Sequence, residues 1–238
     1  MIKRMSVLIC VILMLGLVGN APATLVTWYP LNELAGDIAG DASGHGNDGF
    51  VSDQTWGVPG ANANTGTAVA VGTGGDLTGL APDVSDDFTL MLWLNASYTD
   101  YNRVVNFGDV SNVLHFSDEG GTWELVWNSE SPITSGSGLR AGWQHLAFVH
   151  SAGNLTLYFD GSPMGTFNVG ASVPVHEFHI THSPQHPEPL AAEIDDLGVW
   201  NEVLDVAAIQ AYMTNGVPEP ATITLLGLGG LALLRRRR

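Results

Sequence analysis

The sequence predicts an all-β protein, an antiparallel sandwich of two sheets with one short helix near the C-terminal end. Three observations predict it. Leu155, Leu157 and Phe159 alternate with Asn154, Thr156, Tyr158 and Asp160, the period of two of a half-buried strand. Ser151-Ala152-Gly153 and Asp160-Gly161 turn the chain tightly on either side of that strand, and glycine supplies the positive φ that such turns need. Phe88 to Leu94, FTLMLWL, is apolar on nearly both sides, as befits a strand in the middle of a covered sheet.

Taken in order, Leu25 to Leu31 reads as the first strand. Residues 36–49 form a loop rich in Gly, Asp, Ser and Asn. Within it, Asp41 to Gly49 has glycines at 44, 46 and 49, a composition suited to a calcium cage or to an Asx-stabilised turn. Strands are expected at Ala68 to Val71, Phe88 to Leu94, Arg103 to Phe107, Val113 to Phe116 and Thr122 to Trp127. Ser129 to Gly138 reads as a loop. Gln144 to His150, Asn154 to Asp160 and Met164 to Asn168 form the central hairpins, and Val175 to Thr181 is a further strand. Ser183 to Pro189 holds three prolines, which exclude regular pairing. Ala192 to Trp200 closes the sheet. A helix follows over Leu204 to Met213, with Asp205 as its cap, Leu204 stapled on Ile209, and Gly216 ending it.

The two ends carry addresses. Lys3 and Arg4, the apolar run Met5 to Val18 and the small-residue site Ala21-Pro22-Ala23 read as a leader over 1–23, removed near Thr24. At the other end, Pro218-Glu219-Pro220 precedes the apolar run Ala221 to Leu234 and four arginines, a marginal membrane segment with a basic stop. Apolar terminal helices thus flank one domain over 24–217. That domain keeps only Arg103 and Arg140 against 23 acidic residues, a formal charge of −21. Such a surface repels nucleic acid and anionic membranes. The single cysteine, Cys10, lies in the leader, so the mature domain has neither disulfide nor thiol chemistry.

The tail of Pro218, Glu219 and Pro220, apolar run and arginines resembles the PEP-CTERM sorting signal of Gram-negative bacteria. That resemblance implies an exosortase partner, transient membrane association, cleavage near the motif, and delivery to the cell surface or extracellular matrix. Between the ends, an ordered set of motifs resembles the laminin-G-like, concanavalin A-like jelly-roll domains. These are Tyr29-Pro-Leu-Asn-Glu33, Asp41-x-Ser43-Gly44-x-Gly46, Phe88-Thr-Leu-Met-Leu-Trp93, Trp143-x-His145-Leu-Ala147, Leu157-Tyr-Phe-Asp-Gly161 and Ile194-Asp-Asp196. What this resemblance implies is a jelly roll, in a superfamily rich in carbohydrate binders, with one structural calcium in some members. Carried over to this chain, the calcium candidates are Asp41 and Asp195, with Asn47 or a loop carbonyl. The alternative is an Asx turn at Asp41 and a strand-edge hydrogen bond at Asp195.

Related glucanases need two glutamates flanking an aspartate. Glu193-Ile194-Asp195 supplies the first half, and Leu197 and Gly198 stand where the second glutamate would fall. His176, His179, His182 and His186, near Glu177 and Glu188, could gather zinc if they converged; otherwise they are exposed. His145 reads as structural. Trp28, Trp93, Trp143 and Trp200 read as core. Trp123 and Trp127 share a strand face and form either a sugar platform or core packing. The functional expectation is an exported surface or matrix protein that binds exopolysaccharide or another matrix component without catalysis. The alternatives are a purely structural matrix protein and a glycan hydrolase.

Overall fold

The computed structural model describes residues 24–82, 84, 87–97, 102–108, 112–116, 122–127, 132–170, 176–182 and 190–217. The leader, the terminal apolar helices, Pro218-Glu219-Pro220 and the prolines of 183–189 lie outside the described residues.

Sixteen strands and one helix are described. They are β1 Leu25–Tyr29, β2 Ile38–Ala39, β3 Gly49–Val51, β4 Gln54–Pro59, β5 Thr67–Val71, β6 Leu77–Leu80, β7 Phe88–Ala96, β8 Arg103–Phe107, β9 Val113–Phe116, β10 Thr122–Val126, β11 Pro132–Ser137, β12 Gly142–Ser151, β13 Asn154–Phe159, β14 Ser162–Asn168, β15 Glu177–Ile180, β16 Ala192–Trp200 and α1 Val206–Asn215. They make two antiparallel sheets. Sheet A runs β14-β13-β12-β7-β16-β5-β4, with β1 also on β16; sheet B runs β11-β10-β9-β8-β15-β6-β3-β2.

The central hairpins follow from their turns. Ala152-Gly153 and Asp160-Gly161 all have positive φ, so both turns match the twist of the strands they join. The core lies between the sheets. β7 sends Phe88, Leu90, Leu92, Leu94 and Ala96 inward, to meet Phe107 and Phe178 of sheet B and Leu146, Phe148, Leu155 and Leu157 of sheet A. A second apolar layer lies on the outer side of sheet A, where Trp28, Met91, Ala147, Val149 and Trp200 are covered by Leu204, Ile209 and Val217. α1 starts as expected: the Asp205 side chain accepts from Ala208 N–H, and Leu204 and Ile209 are buried together.

Several expectations are corrected. β1 ends at Tyr29, because Leu31 sits at φ 58 after a proline. Residues 132–137 are a strand where a loop was expected. Pro132 opens it at the edge of sheet B, where a missing N–H is tolerated, and Gly136 lies against the indole of Trp123. Strands β2, β3, β4 and β6 also formed in glycine-rich stretches that carry no alternation.

Both ends of the described chain dock on β16 and its flank. Thr24 accepts from Asn201 N–H through its carbonyl at 3.0 Å and donates its N–H to Glu202 Oε1 at 2.6 Å. Val217 N–H donates to Asp196 Oδ2 at 3.0 Å.

Candidate functional site

The outer face of sheet A is built by alternation with one interruption. On β7, Thr89, Met91, Trp93 and Asn95 point away from the core; on β12, Trp143, His145, Ala147 and Val149 do so. On β16 the pairing with β7 shifts between Asp195 and Gly198, and Asp196 adopts φ 46. This bulge inserts one extra residue and restarts the alternation. Glu193 and Asp195 therefore face outward on one side of it, and Gly198 and Trp200 on the other. The helix covers the second half of the face and leaves the first half free of it.

On that half, Trp143 opposes Asn95, Asn95 opposes Glu193, and Glu193 opposes Ala70. Asn95 Nδ2 donates to Glu193 Oε2 at 2.7 Å. A cleft of about 360 Å³ opens here, lined by Ala70, Asn95, Ser97, Ala191 and Glu193 among others. The alanines leave the depth, while Asn95 and Glu193 supply donors and acceptors. Among the described residues of the lining, Glu193 is the one carboxylate. Trp143, read from the sequence as core, is only partly buried.

In the next row Asp195 and His145 are buried, while Trp93, read from the sequence as core, is only partly buried. His145 opposes Trp93, and Trp93 opposes Asp195. Trp93 meets the His145 ring edge-on at 5.2 Å. Asp195 Oδ2 accepts from Thr65 Oγ1 at 2.6 Å and Ala61 N–H at 2.8 Å. Asp195 Oδ1, Trp93 Nε1 and His145 Nδ1 are buried without partners. Burial pushes the Asp195 carboxyl up to about 6, with the charge of Asp196 adding to the rise. Burial pulls His145 down to about 4, so it is neutral at pH 7.

The expected calcium ligands fall in separate networks. Asp41 Oδ1 accepts from Trp28 N–H and Ser43 N–H, and Oδ2 accepts from Ser43 Oγ and Asn47 N–H. Burial alone would raise this carboxyl, but those hydrogen bonds outweigh it and hold it below its usual range. Asn47 Nδ2 donates to Val26 O at 2.8 Å. Asp195 serves the 61–65 loop instead. Calcium takes six to eight oxygens around one point. Asp41, Asn47 and Asp195 do not fit that arrangement, and among the described residues no cluster of three or more His, Cys, Asp or Glu is poised for a metal.

His179 lies on the outer face of sheet B. Its Nδ1 is 2.6 Å from Asp76 Oδ2 and its Nε2 is 3.1 Å from Glu177 Oε1. Burial would lower its pKa, but the two carboxylates outweigh this and raise it. Both ring nitrogens are thus engaged by carboxylates of the protein itself. His176 is exposed, and His186 lies outside the described residues. Trp123 and Trp127 are buried, 2% and 4% exposed. Trp123 packs edge-on to Phe159 and Phe167, and Trp127 packs on Phe107. Neither offers a ring face to a sugar, because their shared strand face is the inner one.

A two-sheet antiparallel sandwich with a cleft of mixed polarity on one outer face is a lectin-like domain. The chain belongs to the concanavalin A-like lectin/glucanases superfamily, whose family model matches residues 63–210. The PEP-CTERM protein-sorting motif matches 216–238, an address for export to the cell envelope or surface of Gram-negative bacteria. Among solved structures, Trypanosoma rangeli sialidase is similar at TM-score 0.61 and 17% identity, over 79% of this chain and 32% of that one. Domain 4 of AbnA, a GH43 extracellular arabinanase from Geobacillus stearothermophilus in complex with arabinotriose, is similar at TM-score 0.59 and 19% identity, over 79% and 97%. The binding domain of Paraclostridial Mosquitocidal Protein 1 is similar at TM-score 0.56 and 14% identity, over 79% and 51%. These likenesses show the fold, and the chain spans about a third of the length of the sialidase. A comparison with curated proteins finds no match. Among the described residues no helix is long and apolar enough to cross a membrane.

Proposed function

We propose that this is an exported surface protein, released by an exosortase near Pro218-Glu219-Pro220, whose sandwich binds a neutral carbohydrate without cleaving it. The observation that carries the reading is the Asn95–Glu193 pair in the cleft, with Trp143 at the end of its row. A carboxylate and an amide fixed on neighbouring strands bond vicinal hydroxyls, and an indole takes the apolar face of a sugar ring. The arabinotriose complex of the arabinanase domain supports a glycan as ligand for this fold. The formal charge of −21 over 24–217 disfavours polyanions. Retaining glycosidases place two carboxyls about 5–5.5 Å apart; among the described lining residues Glu193 is the one carboxylate, which favours binding over hydrolysis.

The test is retention on a panel of neutral and anionic polysaccharides. Neutral glycans are expected to be retained, and Glu193→Ala or Trp143→Ala to weaken binding about tenfold, roughly 1.4 kcal/mol, with the fold intact by circular dichroism. No retention by any glycan would favour a purely structural matrix protein. Turnover of a glycan, lost in Glu193→Gln, would favour a hydrolase.

A further inference from the structure

The side chain of Asp196 joins three distant parts of the chain. It sits at the β16 bulge, 7% exposed, at a left-handed φ that aspartate tolerates better than most residues. Its Oδ1 accepts from Trp28 Nε1 at 2.7 Å and its Oδ2 from Val217 N–H at 3.0 Å. Val217 is itself 8% exposed and packs with Trp28, Leu204 and Ile209. Asn64 Nδ2 holds Thr214 O at 2.9 Å, and a Cβ at Gly216 would come within 3.3 Å of Asp196 Oδ2 and 3.4 Å of Asn64 O. The chain is therefore gripped up to the residue before Pro218. Proline has no N–H, so the donor held by Asp196 is the last one ahead of Glu219.

We propose that Asp196 positions the sorting motif as a latch: it keeps Val217 inside the folded body, so the processing peptidase must wait for that contact to open. Peptidases take their substrates as extended chain, and cleavage of a folded segment follows the population of its opened form. A cut near Pro218-Glu219-Pro220 draws on the residues ahead of it, and here those residues are docked. The sorting match begins at residue 216, so the motif and the folded domain share Gly216 and Val217. The inference rests on the processing reading given above and adds its control element.

The experiment is pulse–chase of the full chain in a Gram-negative host that carries an exosortase, with mass spectrometry of the released C-terminus. Asp196→Asn removes one of the two acceptors, and processing is expected to run about tenfold faster, the scale of losing a buried charged hydrogen bond. A second variant inserts Gly-Ser-Gly-Ser-Gly-Ser between Val217 and Pro218. It leaves the latch intact, supplies free chain to the peptidase, and is expected to accelerate the cut by a similar factor. If the insertion leaves the rate unchanged, the latch is refuted, even if Asp196→Asn folds poorly. If the wild-type chain is not cut near Pro218 at all, the processing reading falls and takes the latch with it.

Discussion

Asp195 and His145 flank Trp93 in one row, and burial moves them in opposite directions, the acid up to about 6 and the imidazole down to about 4. Folded Asp195 binds its proton more tightly than the unfolded chain does, so its contribution falls as pH rises from about 4 to 6. Folded His145 resists protonation, so its contribution falls as pH drops from about 6.5 to 4. The two slopes oppose each other between pH 4 and 6. Asp195→Asn is expected to remove one and expose the other. Its stability in urea should fall more steeply than wild type as pH drops through that window. Equal slopes in the two proteins would remove Asp195 as a buried titrating group. Neither group was legible in the sequence as a perturbed site. Asp195 had suggested calcium, because its motif shows a carboxylate but not the Thr65 hydroxyl that occupies it.

β13 was legible because it buries an alternating face, and β7, because it is apolar on nearly both sides and buried on both; β12 and β16 are likewise buried on both faces. The weak strands were not. β11 and β6 carry glycines where an inner ring needs room: a Cβ at Gly136 would lie 2.8 Å from the Trp123 indole, and one at Gly79 2.1 Å from the Phe178 ring. There the glycine is a packing residue that reads as a loop residue. Gly136→Val is expected to cost about 1–3 kcal/mol through overpacking, seen as a lower urea midpoint at unchanged slope. A neutral result would place Trp123 on a mobile edge. The bulge of β16 was equally hidden. Ile194-Asp-Asp-Leu reads as plain strand, and only the paired register shows that Asp196 is the extra residue. The sequence therefore named Glu193 but could not join it to Asn95 and Trp143, which lie 98 and 50 positions away and meet it only through strand order.

For the molecule as a whole, the architecture and the sorting motif were plain from ordered motifs, whereas the surface proposed to bind glycan was not. Seven tryptophans gave no sign that Trp56, Trp93 and Trp143 are the ones that stay partly open. From the sequence Trp123 and Trp127 could form a platform or pack in the core, and they pack in the core, 2% and 4% exposed. Both pack between the sheets, Trp123 against Phe159 and Phe167 and Trp127 against Phe107, where large aromatic side chains bury the most apolar area.

The docking of Thr24 beside Asn201 and of Val217 beside Asp196 has a topological consequence. Five positions separate Asp196 from Asn201, which lies one residue past β16, a span of at most about 16 Å at roughly 3.3 Å per extended residue. A flexible bridge of about eight Gly and Ser residues spans roughly that distance. The chain can therefore be closed into a ring and reopened at Ala152-Gly153 without disturbing the sheets. Such a circular permutant is expected to keep its β spectrum and its glycan retention. It would also move the new ends to the opposite edge of β12, where a fused reporter stands clear of the cleft.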